Sequence, residues 1–528
     1  MMRQKFKKTS STNKRDITNI SSEYEVNLSN ELESNKKEIY RLLGNSSDLV
    51  TREFQLGKIR PINARILFLD GLIDKEFIQN YLLNPLINDL RESKSDEKVL
   101  DVQELYQFIK DFTITTAELA EIKNFKGLLE HLLAGDTILL IDGIAKGFAV
   151  GARGAKERGV EEPTTQKVVR GPKDSFTETI SVNIALIRKR IKDPNLWLES
   201  FAYGRKTKTK VTIAYIHGIV NPRIVDEVKA RLAKIDIDGI LESGYIEELI
   251  EDETYTPFPT MFNTERPDAV SAALLEGKVA ILVDGTPFVL LVPALFVDFF
   301  QASEDYYQRS DISSLIRLLR YIAFFLALLT PSVYIALTTF HQEMIPTTLL
   351  VSLAAQREGI PFPAFVEALL MEITFELLRE AGIRLPTPIG SAISIVGALV
   401  LGQAAVDAGI VSATMVIVVS LTAISSFIFP SYSLAISVRM LRFPFMVMAA
   451  TFGLFGIFIG LIILTLHLTS LRSFGIPYLS PFAPFIAEDQ RDAVFRAPRW
   501  AQKKRPRLIN QRNTRRENAG QPQPDRKG

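Results

Sequence analysis

The stretch YIAFFLALLTPSVYIALTTF, residues 321–340, divides this chain into a charged first part and an apolar last third. It contains no acidic or basic side chain, and its length is about the ~20 residues that an α-helix needs to cross ~30 Å of hydrocarbon. The residues before it have the charge density of an ordinary soluble protein. The sequence therefore predicts a large soluble head followed by a smaller membrane domain.

Three further apolar runs follow, at residues 389–406, 410–429 and 444–468. The last run contains three glycines, whose spacing favours close contact between helices in lipid: Gly453, Gly456 and Gly460. Together with 321–340 they predict about four membrane spans. Residues 288–300 are also apolar, but the segment is short and interrupted by Asp298, so it is interpreted as a buried strand and turn or as an interfacial segment.

Lysines and arginines near the span ends predict the orientation of the chain. Arg309, Arg317 and Arg320 precede the first span and a basic tail follows the last one. Four spans place both groups on the same side, which we expect to be cytoplasmic. Arg439 and Arg442 do not fit this scheme, because an even count puts them outside. A re-entrant segment or an additional crossing would resolve the conflict.

An amphipathic helix is predicted at residues 361–385, between the first two spans. Its acidic residues Glu372, Glu376 and Glu380 stand one turn apart on one face. One interpretation is a helix on the membrane surface with a solvated acidic stripe. The other is a ring of carboxylates that concentrates cations at a pore mouth when several copies assemble.

The second apolar run has a stripe of small side chains at helical spacing, formed by Ser391, Ser394, Ala398 and Gly402. Such a stripe allows a neighbouring helix to approach closely. It also leaves room for ions if it faces an aqueous channel, so these four residues are the pore-lining candidates. Gln403 at the end of the run requires a protein or water environment.

The head contains an internal repeat. ARILFLDG from residue 64 resembles VTIAYIHG from residue 211, and LLAGDTILLIDG from residue 132 resembles LLEGKVAILVDG from residue 274. The second pair aligns Gly135 with Gly277, Asp142 with Asp284 and Gly143 with Gly285. The predicted fold class is therefore α+β, with two related α/β lobes at 38–155 and 156–300 and a helical membrane domain at 301–475.

Composition limits the possible functions. The formal net charge is +2, and basic residues crowd two polar tails, 1–37 and 476–528, which we expect to be disordered linkers and topology signals rather than nucleic-acid sites. The chain has no cysteine and four scattered histidines, which excludes disulfides and thiolate catalysis and argues against a metal centre. No cofactor motif and no secretory signal are visible.

No catalytic constellation is present either. There is no GxxxxGK[ST] phosphate loop, and Arg170-Gly171-Pro172 is interpreted as a rigid turn. The charged residues between the lobes are interpreted as ion pairs and helix caps: Glu161, Glu162, Glu178, Arg188 and Arg190. We therefore expect a non-enzymatic protein.

Several stretches together resemble one known family. They include VVRGPKDSFTETISVNIALIRKRI (168–191), FPTMFNTERPDAV (258–270), LLEGKVAILVDGTPFVLLVP (274–293), EDYYQR (304–309), HQEMIP (341–346), MEITFELLREAGIRLP (371–386) and IGSAISIVGALVLGQAAVDAGIVS (389–412). In this order they resemble the A subunits of GerA-type spore germinant receptors. A related stage V sporulation protein of the AF type shares much of the pattern.

The resemblance implies a place in the spore inner membrane, with the lobes on the core side. It also implies two partners, a transporter-like B subunit that senses the nutrient and a lipoprotein C subunit. The family's A subunit is thought to form a homo-oligomer that conducts ions during germination. The alternative is a scaffold or signalling subunit that is anchored in the membrane and does not conduct.

Overall fold

The computed structural model describes residues 24–56, 61–84, 86, 106–107, 109–110, 119–154, 162–384, 402–509 and 513–516. The first lobe is an antiparallel sheet with helices against it. Its elements are α1 (Leu32–Leu42), β1 (Leu49–Leu56), β2 (Ile62–Leu69), a π-helix (Ile78–Leu83), β3 (Leu119–Ile122), α2 (Phe125–Ala134), β4 (Thr137–Ile141) and β5 (Gly147–Val150).

The second lobe has the same kind of architecture. Its elements are α3 (Ile180–Arg190), β6 (Leu196–Tyr203), β7 (Thr209–Ile216), α4 (Pro222–Leu232), α5 (Ser243–Ile250), β8 (Phe262–Thr264), α6 (Pro267–Leu275), β9 (Val279–Val283) and β10 (Val289–Val292). Nearly every residue of the central strands β7 and β9 is buried, because helices or other chain segments cover both faces of the sheet.

The two sheets have the same strand order. The first is β1-β2-β4-β5-β3 and the second is β6-β7-β9-β10-β8, and all neighbouring strands are antiparallel. Each strand of the first lobe therefore has a counterpart at the same position in the second. The sequence prediction of a mixed α/β head with two related lobes is confirmed by this topology.

The matched Asp-Gly pairs have the same structural role in both lobes. The Oδ1 atom of Asp142 accepts a hydrogen bond from the Leu32 amide (3.3 Å), and that of Asp284 accepts one from the Ile180 amide (3.1 Å). Each aspartate thus holds the first helix of its lobe against the end of a central strand. The glycine after each aspartate has φ of 87° or 93°, which glycine adopts without steric strain. The repeated motif is therefore structural.

An ion pair joins the two lobes. Arg188 on α3 binds Asp48 of the first lobe through two hydrogen bonds, Nε to Oδ2 (2.8 Å) and Nη2 to Oδ1 (3.1 Å), and both side chains are 1% exposed. The hydroxyl of Ser46 accepts a further bond from Arg188 (2.9 Å). The interpretation of Arg188 as an ion-pair residue at the lobe junction is confirmed.

Both predicted tails are partly folded, which corrects their boundaries. At the first end α1 starts at Leu32, inside the predicted tail, and has a buried face. At the other end residues 476–509 pack on the second lobe, where Tyr478 and Ile509 are almost fully buried. The prediction of disorder at 476–528 is wrong for this segment, because its apolar residues are spaced among the charges rather than grouped in a run.

The helical domain follows the head. Its elements are α7 (Ser310–Thr339), α8 (Thr347–Arg357), α9 (Ala364–Arg384), α10 (Gly402–Asp407), α11 (Ala413–Phe427) and α12 (Tyr432–Ser470), followed by the short strands β11 (Arg472–Ser473) and β12 (Ile476–Pro477). By length and composition, α7 and α12 could each cross a membrane, and α11 is a shorter apolar helix. Residues 389–401 of the predicted second span lie outside the described residues.

The chain reverses direction within α12. Gly453 has φ 61° and ψ −141°, which breaks the helix. A Cβ atom built on Gly460 would lie 2.7 Å from the ring of Phe445, although fifteen residues of straight helix would separate these positions by about 22 Å. The element is therefore a helical hairpin with arms at 432–452 and 454–470. The run predicted as a single span at 444–468 contains the turn of this hairpin.

Both ends of the hairpin contact the second lobe. Ser437, on the first arm, donates a hydrogen bond to the carbonyl of Pro257. His467, at the end of the second arm, pairs with Thr256 at 2.9 Å. The tip at Gly453 contacts His341, just beyond the far end of α7. Both arms thus run alongside α7, away from the head and back to it.

The segment at 288–300 is a buried strand and turn, one of the two predicted alternatives. β10 continues into a 3₁₀ turn, Phe296–Phe300. The charge of Asp298 is tolerated there because Lys278 pairs with it at 2.5 Å and the Leu295 amide donates to it at 2.7 Å.

Candidate functional site

A row of charged side chains lies inside the helical domain, among the helices α8, α9 and α12. We call it the polar seam, and it consists of Arg357, Glu367, Glu372, Glu376, Arg439 and Arg442. Charged groups are rare in such an apolar environment, since their burial is costly unless they are paired or hydrated.

The centre of the polar seam is the pair Glu372 and Arg442. The Nη1 atom of Arg442 lies 2.5 Å from Oε2 of Glu372, and these side chains are 2% and 0% exposed. The Nε atom of Arg442 donates to the carbonyl of Ala327 on α7 (2.8 Å). Since Ala327 belongs to the charge-free run 321–340, this ion pair lies at the level of the apolar part of the domain.

A second pair lies one turn away. Arg439 donates to Glu376 at 2.7 Å, and both side chains are partly exposed. Arg379, also on α9, stacks over the ring of Phe427 at 5.0 Å. Three helices of the domain therefore meet at charged residues as well as at apolar ones.

The third carboxylate of the polar seam caps a helix. Glu367 is fully buried and accepts hydrogen bonds from the amide and the hydroxyl of Ser412, which precedes the first residue of α11. The carboxylate lies where the exposed amides at the N-terminus of α11 favour negative charge. The Nε atom of Arg357 is 3.9 Å from its second oxygen, which is too far for a hydrogen bond.

Several buried atoms of the polar seam have no hydrogen-bond partner among the described residues. They are Arg357 Nε, Glu367 Oε2, Glu372 Oε1, Glu376 Oε1 and Arg442 Nη2. A partly satisfied buried network is unfavourable in a low-dielectric interior. Such atoms are typical of sites that receive water, an ion or a neighbouring chain.

The structure distributes the sequence-predicted residues unevenly. It places Glu372 and Glu376 in the polar seam, where arginines neutralise them, and leaves Glu380 exposed on the same helix. The description of a solvated acidic stripe therefore does not fit Glu372. Ser391, Ser394 and Ala398 lie outside the described residues, and Gly402 is buried at the start of α10 next to Val416.

Sequence analysis missed the arginines that pair with the acidic face. The signal was present, because Arg439 and Arg442 conflicted with the predicted topology. The hairpin in α12 adds one reversal of the chain to the predicted topology, and both arginines lie on the arm that begins next to the second lobe. The partners of these arginines could not be predicted from local patterns, because the central pair joins residues that are seventy positions apart in the sequence.

A second junction connects the head to α7. Buried Arg266 donates to the carbonyl of Pro172 (2.9 Å) and to Asp268 (2.8 Å), which also accepts a hydrogen bond from the hydroxyl of Tyr307 (2.5 Å). Burial raises the pKa of Tyr307, and its bond to Asp268 raises it further. A Cβ atom on Gly171 would lie 2.6 Å from the Tyr307 ring. Three of the stretches that carry the family resemblance thus meet at one place.

Two arginines at the start of α7 are turned inward. Arg317 and Arg320 both bind Asp305, at 2.9 and 2.7 Å, and Arg317 also binds Asp492 of the C-terminal segment at 2.8 Å. These contacts join α7 to the turn that precedes it and to the C-terminal segment, and Arg320 also donates to the carbonyl of Phe300 at the end of the second lobe (2.9 Å). The two charges therefore hold the head to the helical domain and do not face outward.

These observations define a class of protein: an α/β head of two repeated lobes joined firmly to a helical domain with long apolar helices. The model of the Bacillus/Clostridium GerA spore germination protein family matches residues 37–508. The chain belongs to this family, the A subunits of spore germinant receptors, which confirms the family resemblance.

Similar proteins cover nearly the whole chain. Spore germination protein KA of Bacillus subtilis (strain 168) is 50% identical over 92% of this chain and 88% of its own length. The uncharacterized membrane protein YfkQ of the same organism is 46% identical over 95% and 96%. A crystal structure of the N-terminal domain of the A subunit of the Bacillus megaterium spore germinant receptor GerK3 is 43% identical, covers 51% of this chain and 97% of its own, and has a TM-score of 0.41.

Proposed function

We propose that this chain is the multi-pass membrane subunit of a nutrient germinant receptor, and that several copies form a path for monovalent cations through the spore inner membrane. The subunit is non-enzymatic in this proposal. The head and the C-terminal segment lie on the cytoplasmic, core side. A transporter-like B subunit and a lipoprotein C subunit complete the receptor, with the B subunit sensing the nutrient.

The observation that carries the proposal is the polar seam with its unpartnered atoms. Five buried nitrogen and oxygen atoms of charged side chains have no hydrogen-bond partner among the described residues of the single chain. In hydrocarbon such atoms find partners in a water-filled path or at a contact with another chain. Both would be supplied by an oligomer that conducts ions.

The outward surface of the helices supports a membrane environment. Large apolar side chains are exposed in rows on several helices: Ile322 and Phe325 on α7, Leu370, Ile373 and Leu377 on α9, Ile417, Leu421 and Ile424 on α11, and Phe455, Phe458 and Ile462 on α12. Rows of exposed large apolar side chains on several neighbouring helices are rare on soluble monomers and mark contact with lipid or with other subunits.

The hairpin supports the orientation. Because both of its ends contact the second lobe, the head and the C-terminal segment lie on one side of the helical domain. Arg439 and Arg442 lie on the arm that begins beside the head, and they are paired with Glu376 and Glu372 inside the helical domain. The pore-lining candidates Ser391, Ser394, Ala398 and Gly402 remain part of the proposal.

The test uses spores in which this chain is the sole A subunit. Potassium release is followed after the nutrient that triggers the unmodified spores is added. We expect Glu372→Gln to reduce release and the exposed, chemically matched Glu380→Gln to leave it unchanged. Immunoblots of spore membranes check that each variant is present. A double variant, Glu372→Gln/Arg442→Gln, removes both central charges of the polar seam, so that no single buried charge is left unpaired; we call it the neutral seam variant.

The same spores test the small-residue stripe. Ala398→Trp would narrow a path that this stripe lines and would slow potassium release. Normal release in both Ala398→Trp and the neutral seam variant would contradict conduction along either candidate route.

A second candidate function is a membrane-anchored scaffold or signalling subunit that conducts nothing. One observation favours it: the central charges Glu372 and Arg442 neutralise each other within a single chain. The purified chain in liposomes separates the two functions. A scaffold gives no potassium flux under any condition, and a foreign membrane anchor restores germination when it replaces the helical domain.

A further inference from the structure

The C-terminal segment presents exposed aromatic rings next to exposed cations. Phe485 is 74% exposed, Phe495 is 61% exposed and Trp500 is 46% exposed. Arg491 and Arg499 are also exposed and lie between these rings in the sequence, and exposed Lys503 follows Trp500. We call these six residues the aromatic–basic face. Exposed aromatic rings interspersed with cations are typical of segments at a membrane interface.

The position of the aromatic–basic face is fixed by α7. The amide of Arg496 donates to the hydroxyl of Ser314 (3.0 Å), and that hydroxyl can donate to the Arg496 carbonyl (3.3 Å). Ser314 lies seven residues before Tyr321, which is about 10 Å along the helix. The face therefore lies beside α7 just before the charge-free run begins.

The outward side of α7 is already apolar at this level. Ile312, Leu315 and Leu319 are about half exposed or more, whereas Arg317 and Arg320 are buried in their ion pairs with Asp305. The lipid-facing surface therefore begins about two turns before Tyr321. The aromatic–basic face is consequently at the level of the lipid headgroups rather than in bulk water.

The cations of the face lie in a segment that also carries Glu488, Asp489 and Asp492, and Arg491 and Lys503 line the same cavity as these carboxylates. Arg491, Arg499 and Lys503 form no ion pair with another described residue, although Arg499 lies 5.9 Å from the ring of Tyr306. Tryptophan and phenylalanine rings together with cations fit the boundary between headgroups and acyl chains. Cations near this boundary are attracted by the negative surface potential of anionic lipids.

We propose that the aromatic–basic face docks on the anionic lipid headgroups of the membrane that the chain crosses. The C-terminal segment then seals the junction of the second lobe and α7 against the membrane surface. This inference rests on the proposed membrane crossing of α7, and the experiment separates the two.

The chain itself supplies the probe, because it contains two tryptophans, Trp197 and Trp500. In Trp197→Phe the fluorescence reports Trp500 alone. The full chain is placed in nanodiscs of phosphatidylcholine, with or without phosphatidylglycerol, whose acyl chains carry bromine near the headgroup. We expect a blue-shifted emission that is quenched by the brominated lipid, more strongly with phosphatidylglycerol and less strongly at high salt.

Charge reversal provides the matched comparison. Arg491→Glu/Lys503→Glu should abolish the dependence of quenching on phosphatidylglycerol. Lys206→Glu/Lys234→Glu makes the same change in charge at exposed sites of the second lobe and should leave it intact. A dependence that survives Arg491→Glu/Lys503→Glu overturns the role of these cations in lipid binding.

A tryptophan on the hairpin controls for insertion. Phe458→Trp, combined with Trp197→Phe and Trp500→Phe, should be quenched by lipid brominated deep in the acyl chains, because Phe458 is exposed on the second arm of α12. If it is quenched while Trp500 is not, the lipid docking is overturned and the membrane crossing stands. If neither is quenched, the membrane crossing fails. A blue shift of Trp500 that needs an added B or C subunit indicates a protein partner and also overturns the proposal.

Discussion

Arg442 and Glu372 form a salt bridge of 2.5 Å inside the helical domain, although seventy positions of sequence separate them. Neither side chain is more than 2% exposed. Removing one partner of such a pair leaves a buried charge uncompensated, whereas replacing both removes the charges together. The packing of α9 against α12 therefore depends on both charges of the pair being present or both being absent.

Neutralising one side of this pair should destabilise the helical domain. We expect Arg442→Met to cost about 3–5 kcal/mol, since it leaves the Glu372 carboxylate unpaired. Glu372→Gln/Arg442→Met should recover most of this loss. The thermal midpoint of the full chain in detergent measures both effects. Glu380→Gln serves as the control, and equal losses in the single and the double variant would contradict the pairing.

The hairpin in α12 can be tested with cysteines, because the chain has none of its own. Phe445→Cys/Gly460→Cys should be joined by a short bifunctional thiol reagent, since the two positions are adjacent across the arms. In a straight helix they would be about 22 Å apart. Leu315→Cys/Thr330→Cys has the same spacing on α7 and should not be joined. Equal yields for the two pairs would show that α12 is straight.

The lobe junction depends on Arg188. We expect Arg188→Met to cost about 3–5 kcal/mol, because it leaves the carboxylate of Asp48 buried and unpaired. The measurement is the rate of limited proteolysis between the lobes, which should rise. Lys192→Met removes a neighbouring exposed cation and should not change the rate. Unchanged proteolysis in Arg188→Met would show that the lobes are held by other contacts.

The stability of the second lobe should depend on pH through Glu247. Burial is the largest cause that raises the pKa of Glu247; a hydrogen bond with Asn263 lowers it, the charges of Glu251 and Glu242 raise it, and together they bring it from 4.5 to about 7. The folded state therefore favours the protonated form. Its contribution to stability is complete below pH 4.5 and is lost as the pH rises through about 7.

Glu247→Gln keeps the shape of the side chain and removes its titration. We expect the thermal midpoint of the full chain to fall between about pH 5 and pH 8 in the unmodified protein and to change less in Glu247→Gln. Glu248→Gln, at an exposed neighbour, should behave like the unmodified protein. The same pH dependence in all three proteins would exclude Glu247 as its source.

The head could be predicted well from the sequence, because its repeat is visible as short local motifs, apolar strands that end in Asp-Gly. The aligned pairs Asp142 with Asp284 and Gly143 with Gly285 correspond to equivalent strand ends in two sheets of identical order. Strand order itself was not predictable, since it depends on which strands pair over long distances. Arg188 was assigned correctly to the junction, but its partner Asp48 was not identified.

The helical domain could be predicted less well, because hydropathy ignores the direction in which a side chain points. Arg317 and Arg320 delayed the predicted start of the first span to residue 321, whereas both are buried and the outer face of α7 is apolar earlier. Gly453 was interpreted as a packing residue, although it reverses the chain. The acidic face of α9 was visible from its spacing, but neutralisation by α12 is a tertiary contact that no local pattern contains.

The attachment of both hairpin ends to the second lobe couples the position of the hairpin to that of the head. Ser437 and His467 are bonded to two neighbouring residues of the lobe, Pro257 and Thr256. A tilt of the lobe would therefore move both arms jointly. Each arm is a stiff rod of about 25–30 Å. We therefore expect a displacement of the lobe to move the tip beside His341, at the far end of α7.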